Sequence, residues 1–101
     1  MPTQAVQIMP DGTVIEKRVT VRKSLHEDVR WIALMGGGPW KITFDAGDGS
    51  PFSMTSYMIG PGGSEGSTGG PVAGIPRKIY KYNVRNAVTN AVTEDPDVEV
   101  E

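Results

Sequence analysis

The sequence contains no cysteine and a single histidine, His26. Without thiols there can be no disulfide, thiolate metal site or cysteine nucleophile. One imidazole without a thiolate falls short of a zinc site built from Cys and His. Basic residues are missing from a long central stretch: none occurs between Lys41 and Arg77. That rules out a P-loop, whose Gly-rich turn ends in Lys. Long apolar runs are missing too, and no stretch approaches the 18 residues of a membrane span. The N-terminus has neither a basic nor an apolar signal region, so a cytoplasmic location and no membrane contact are expected.

Glycine and proline are plentiful, at 13 and 8 of 101 residues. Both interrupt helices and mark turns, which favours many short strands. The length suits one domain over 1–101. Net charge is −2, which disfavours nucleic acid.

The densest apolar stretch is 29–52, VRWIALMGGGPWKITFDAGDGSPF. Val29, Trp31 and Ala33 alternate with Arg30, Ile32 and Leu34, and the near absence of charge predicts a strand buried on much of both faces. After Gly36-Gly37-Gly38-Pro39, Trp40, Ile42 and Phe44 alternate again. Two such runs around a glycine break predict an antiparallel pair. Further strands are expected at 4–8, 13–22, 52–59, 77–85 and 97–100. In the fifth of these seven the period is mixed. In the sixth, Tyr80, Tyr82 and Val84 share a face, and Lys81 and Arg85 on the other could meet Glu94, Asp97 and Glu99 on the last strand. The segment 60–76, with seven glycines and three prolines, is expected to be one flexible loop. Seven or eight strands without helical period describe an all-β sandwich or small barrel.

In order along the chain stand Val29-Arg30-Trp31, Trp40-Lys41-Ile42-Thr43-Phe44, Pro51-Phe52, Tyr80-Lys81-Tyr82-Asn83-Val84 and Asp95-Pro96-Asp97. This set resembles the cupredoxin-like domains, specifically small bacterial single-domain members that have lost copper. The resemblance implies a Greek-key β-sandwich with Trp31, Trp40, Phe44, Phe52, Tyr80 and Tyr82 in the core. It does not bring a copper site, because a blue-copper centre needs two histidines and a cysteine thiolate.

Few residues invite chemistry. His26 beside Glu27 and Asp28 suggests a general base, although neighbours on an extended chain point apart. Asp45 and Asp48-Gly49 suggest calcium, but two carboxylates fall short of its six to eight oxygens, and a turn explains them. The tyrosines and bases of 77–85 fall on opposite faces, unlike a stacking platform for single strands. No enzyme signature, cofactor or metal is expected. The leading expectation is a non-catalytic module that binds another protein through end loops, at Gly36, Gly37, Gly38, Tyr57, Met58 and Ile59. The alternatives are a small hydrolase or isomerase using His26, and a structural protein self-associating through an exposed edge strand at 13–22. A monomer or weak oligomer is expected.

Overall fold

The computed structural model describes residues 3–47, 49–67 and 69–101. The described chain is mostly β, with nine strands in two sheets and only two 3-10 turns, Lys23–Leu25 and Leu34–Gly36. The strands are β1 Thr3–Ile8, β2 Arg18–Val21, β3 Asp28–Ala33, β4 Trp40–Phe44, β5 Ser56–Ile59, β6 Ser64–Gly66, β7 Ile79–Asn86, β8 Val92–Glu94 and β9 Asp97–Val100. The smaller sheet runs β1-β3-β6 and the larger β2-β9-β7-β4-β5, with β8 also on β7. β1 lies parallel to β3, and β2 parallel to β9; the other pairs are antiparallel.

Alternation predicts which side chains enter the core. Val29, Trp31 and Ala33 of β3 are buried, as are Trp40, Ile42 and Phe44 of β4 and Tyr80, Tyr82 and Val84 of β7. Trp31 joins the layers. Its ring, fully buried on the small sheet, lies 5.0 Å from Tyr57, 5.8 Å from Tyr82 and 6.3 Å from Phe44, all on the large sheet. Phe44 extends the cluster to Phe52 at 6.1 Å. Such aromatic pairs add roughly 0.5–1.5 kcal/mol each beyond the area they bury. Burial pushes the Tyr82 hydroxyl's pKa up strongly, against the opposing influence of the nearby Trp31 indole. The two groups lack hydrogen-bond geometry with any described partner.

Several sequence expectations need correction. Segments 29–34 and 40–44 do not pair with each other: β3 sits between β1 and β6, and β4 between β7 and β5. The glycine turn carries the chain from one layer to the other, so both strands can bury one face against the same core. β3 is also not buried on both faces, since Arg30 is exposed and Ile32 only half-buried.

Only the second half of 13–22 is a strand, and Val14 makes a lone bridge to Ile8. The charged interruption at Glu16-Lys17-Arg18 is a joint between sheets. The Glu16 carboxylate accepts the Gln7 backbone N–H and the Gln7 side-chain amide, both at 2.8 Å. Arg18 donates to both oxygens of Asp97, its register partner in β9, at 2.6 and 3.1 Å. The acids at the C-terminal end are thus met chiefly from the β2 side, by Lys17 on Glu94 and Arg18 on Asp97. Lys81 reaches Asp95 at 3.4 Å. Parallel pairing of β2 with β9 sets Arg18 opposite Asp97.

Lys17, helped less by backbone N–H groups of Asp95 and Val14, holds the Glu94 carboxyl below its ordinary value of 4.5 against the opposing effect of burial. A depressed carboxylate stabilises the fold above its unfolded pKa, and that contribution disappears as pH falls through the folded pKa. Lys17→Met is therefore expected to cost under about 1 kcal/mol at neutral pH, because the lysine is mostly exposed. The difference from the parent should close as pH falls below 4.5; urea titrations at a series of pH values would measure it.

Candidate functional site

The segment 60–76 is not one loop. Ser64–Gly66 forms β6 against β3. Next to it, Ser67 is fully buried. Its hydroxyl accepts the Val29 N–H at 3.0 Å and donates to the Gly69 carbonyl at 2.8 Å. Its carbonyl accepts the Tyr57 hydroxyl at 2.9 Å, and its N–H donates to the Val29 carbonyl at 2.8 Å. Downstream, Val72 N–H donates to the Pro51 carbonyl and Lys23 Nζ to the Ile75 carbonyl. Nothing in a glycine-rich context marks one serine as an anchor. Ser67→Ala should cost about 1–3 kcal/mol, since Val29 N–H would be left buried without a partner. Chemical denaturation would record this as a lowered midpoint with an unchanged slope.

The two sheets leave a gap between the edge strands β5 and β6. A cleft of about 310 Å³ opens there, lined by Met54, Ser56, Tyr57, Met58 and Glu65. Of the residues expected to contact a partner here, only Met58 is available, at 55 % exposed. Tyr57 and Ile59 are corrected: they are 3 % and 1 % exposed and belong to the core. Period 2 explains it, because on a strand covered on one face the residues flanking Met58 must point inward. The sequence reading missed Met54, which is 47 % exposed beside Met58.

In the Gly36–Gly38 turn, Gly36 is exposed with open space beside it, whereas Gly37 and Gly38 are closely packed. Gly62 N–H donates to the Gly37 carbonyl at 3.0 Å. A β-carbon at Gly37 would lie 3.0 Å from Pro10 Cα, and one at Gly38 would lie 3.1 Å from Trp40 Cδ1. Gly38 also has φ 107°. These glycines let the backbone lie on the Trp40 indole. Met35, next to the turn, projects outward and is 88 % exposed.

The edges of the sheets differ in how they are closed. On β1, both backbone groups of Gln7 are taken: Glu16 accepts its N–H, and Ile15 N–H donates to its carbonyl. β2 has only four residues and is flanked by charge: Arg18 is paired to Asp97 of β9, Lys17 to Glu94, and Arg22 beyond its end is exposed. β6 has only three residues, one of them Glu65. β5 has no such protection. Phe44 N–H donates to the Thr55 carbonyl at 2.9 Å, and the register continues Thr43↔Ser56 to Trp40↔Ile59. Hydrogen-bonded pairs alternate in an antiparallel ladder, so the N–H and C=O groups of Ser56 and Met58 point away from β4. Among the described residues no strand pairs with that side. The sequence from Ser53 to Gly60 carries no charge and no proline.

The chemical candidates are not brought together. His26 is exposed at φ 52° after the Lys23–Leu25 turn. Glu27 is turned away, accepting Arg22 N–H at 2.7 Å, and Asp28 accepts the Thr3 hydroxyl at 2.7 Å. Asp45 Oδ1 accepts Gly47 N–H at 3.0 Å, a local turn bond. Asp48 lies outside the described residues. No group of three His, Cys, Asp or Glu among the described residues could hold a metal ion. The donor set of a blue-copper centre does not fit a chain with one histidine and no thiol. Compared with known proteins, the chain matches no family model and no curated sequence.

Proposed function

We propose that this chain is a cupredoxin-like Greek-key sandwich without copper, acting as a non-catalytic module that meets another protein along its β5 side. Two features support the fold assignment. Three of the five ordered motifs lie on strands, β3, β4 and β7, and the chain passes repeatedly between layers, β1, β3 and β6 in one and β2, β4 and β5 in the other. The absence of a thiolate and of a second imidazole supports a role other than electron transfer.

One observation carries the interaction reading: β5 alone combines an uncharged edge, outward backbone groups and exposed methionines on either side of Ser56. Methionine is unbranched and polarizable, so it conforms to varied partner surfaces. A photo-cross-linking residue at position 58, with one at the equally apolar and exposed Val88 as control, would test this in extracts of the producing cell. Discrete adducts at 58 and none at 88 are expected. Equal yields at both positions, or none at either, would remove β5 from consideration.

A further inference from the structure

We infer that the partner seated on β5 is a second copy of this chain, its β5 pairing antiparallel with the first across a two-fold axis. This rests on the reading of β5 as the contact surface. An incoming strand must meet three requirements at once. Its donors and acceptors must be in phase with those of Ser56 and Met58, it must carry no unmatched charge, and it must offer apolar groups to Met54 and Met58. The same strand in a second copy satisfies all three. Centring the axis on Tyr57 pairs Ser56 with the partner's Met58 and Met58 with the partner's Ser56. In both pairs the outward N–H and C=O groups face each other and can exchange bonds. Met54 and Met58 then form one apolar strip with their symmetry mates.

The charged residue lining the cleft beside Met54 and Met58 is Glu65 of β6, so the two-fold axis brings two carboxylates to the rim of the contact, and pairing should strengthen as added salt screens them. The nearest cation in register is Lys41, opposite Met58 on β4. Its symmetry mate would lie three strand spacings away, about 14 Å or more, beyond the Debye length of about 8 Å at physiological salt. A two-fold contact of this kind uses both β5 edges and closes on itself, leaving the guarded β2 and β1 edges outermost. The edge-strand alternative at 13–22 is thereby moved: β2 is an edge, but it has only four residues and is flanked by charge, whereas β5 is an uncharged edge. About eight residues a side, against 20–30 in a standard interface, make the dimer weak and concentration-dependent.

Sedimentation velocity from low micromolar to millimolar protein tests the inference. The weight-average mass should rise towards twice that of the monomer, Met58→Leu should behave like the parent, and Met58→Lys should stay monomeric. Met58 is more than half exposed, so lysine there is compatible with the fold. A strict monomer at millimolar concentration, or a Met58→Lys protein that dimerises like the parent, overturns the inference. A cross-linker at 58 in the purified protein gives a second readout that does not depend on the lysine variant. A covalent dimer supports the second copy. An adduct only with a different protein in extract overturns it while leaving β5 as the contact surface, and no adduct in either setting removes both.

Discussion

Trp31→Ala is expected to cost about 3–5 kcal/mol, the range for truncating a buried large aromatic. Against a total stability of about 5–15 kcal/mol, that leaves a protein partly unfolded at physiological temperature. Trp31 has no exposed surface and touches rings from three strands of the opposite sheet. Its loss opens a cavity that neither layer can fill without moving the other. Thermal melting should show a fall of roughly 15 °C or more, from about 4–8 °C per kcal/mol for a domain near this size. Tyr82→Phe is the informative contrast. It keeps the ring but removes a buried hydroxyl that has no hydrogen-bond partner among the described residues. That change should be neutral or stabilising in the same melt, because the deleted group is desolvated without compensation. A large loss from Tyr82→Phe would mean that the hydroxyl has a structural role the geometry does not account for.

Gly12→Ala should be the next most damaging change, for two separable reasons. Gly12 sits at φ 88°, where a β-carbon is strained at about 1–3 kcal/mol. That β-carbon would also lie 2.5 Å from Thr93 Cβ, which adds an overpacking cost of similar size. Thr93 is not a passive neighbour. Its hydroxyl lies 2.9 Å from the Gly12 carbonyl and 3.1 Å from the Val84 carbonyl, tying the turn after β1 to the β7–β8 hairpin. The combined loss should be about 2–6 kcal/mol by urea denaturation. Adding Thr93→Gly, which removes the clashing β-carbon that alanine would keep, to Gly12→Ala should recover the steric part and leave the backbone part, so the two changes should be strongly non-additive. Full additivity would show that the turn shifts to avoid Thr93.

Much of the fold was legible from alternation and turn chemistry. The burial of Trp31, Trp40, Phe44, Tyr80, Tyr82 and Val98 follows from period 2 alone, because each strand packs one face on a shared core. Pairing was less legible. The runs either side of Gly36–Gly38 look like a hairpin in sequence, but a glycine turn can carry a chain across a sandwich as readily as back along one sheet. The glycine-rich segment concealed β6 and the Ser67 anchor, since their bonds reach Val29 and Tyr57, contacts no local pattern encodes. Position 58 was readable as apolar and projecting; the inward turn of Tyr57 and Ile59 needed the register of β4 and β5.

The functional account depends on how the sheet edges are closed more than on any single side chain. Glu16, set in a charged break between apolar runs, occupies Gln7 and covers that end of β1, while β2 is short and flanked by the charged Lys17, Arg18 and Arg22. The edge at Ser56–Ile59 has neither the occupied backbone nor the flanking charge. Natural β-proteins manage such edges against unwanted pairing, so one left unguarded is the best place to look for a wanted one.

Residue-resolved amide exchange on dilute, monomeric protein tests this asymmetry most directly. The Tyr57, Ile59 and Gln7 amides should be protected, the first two by β4 and the last by Glu16, while Ser56 and Met58 exchange rapidly between protected neighbours. Uniform protection along 56–59, or a rapidly exchanging Gln7 amide, would contradict the account.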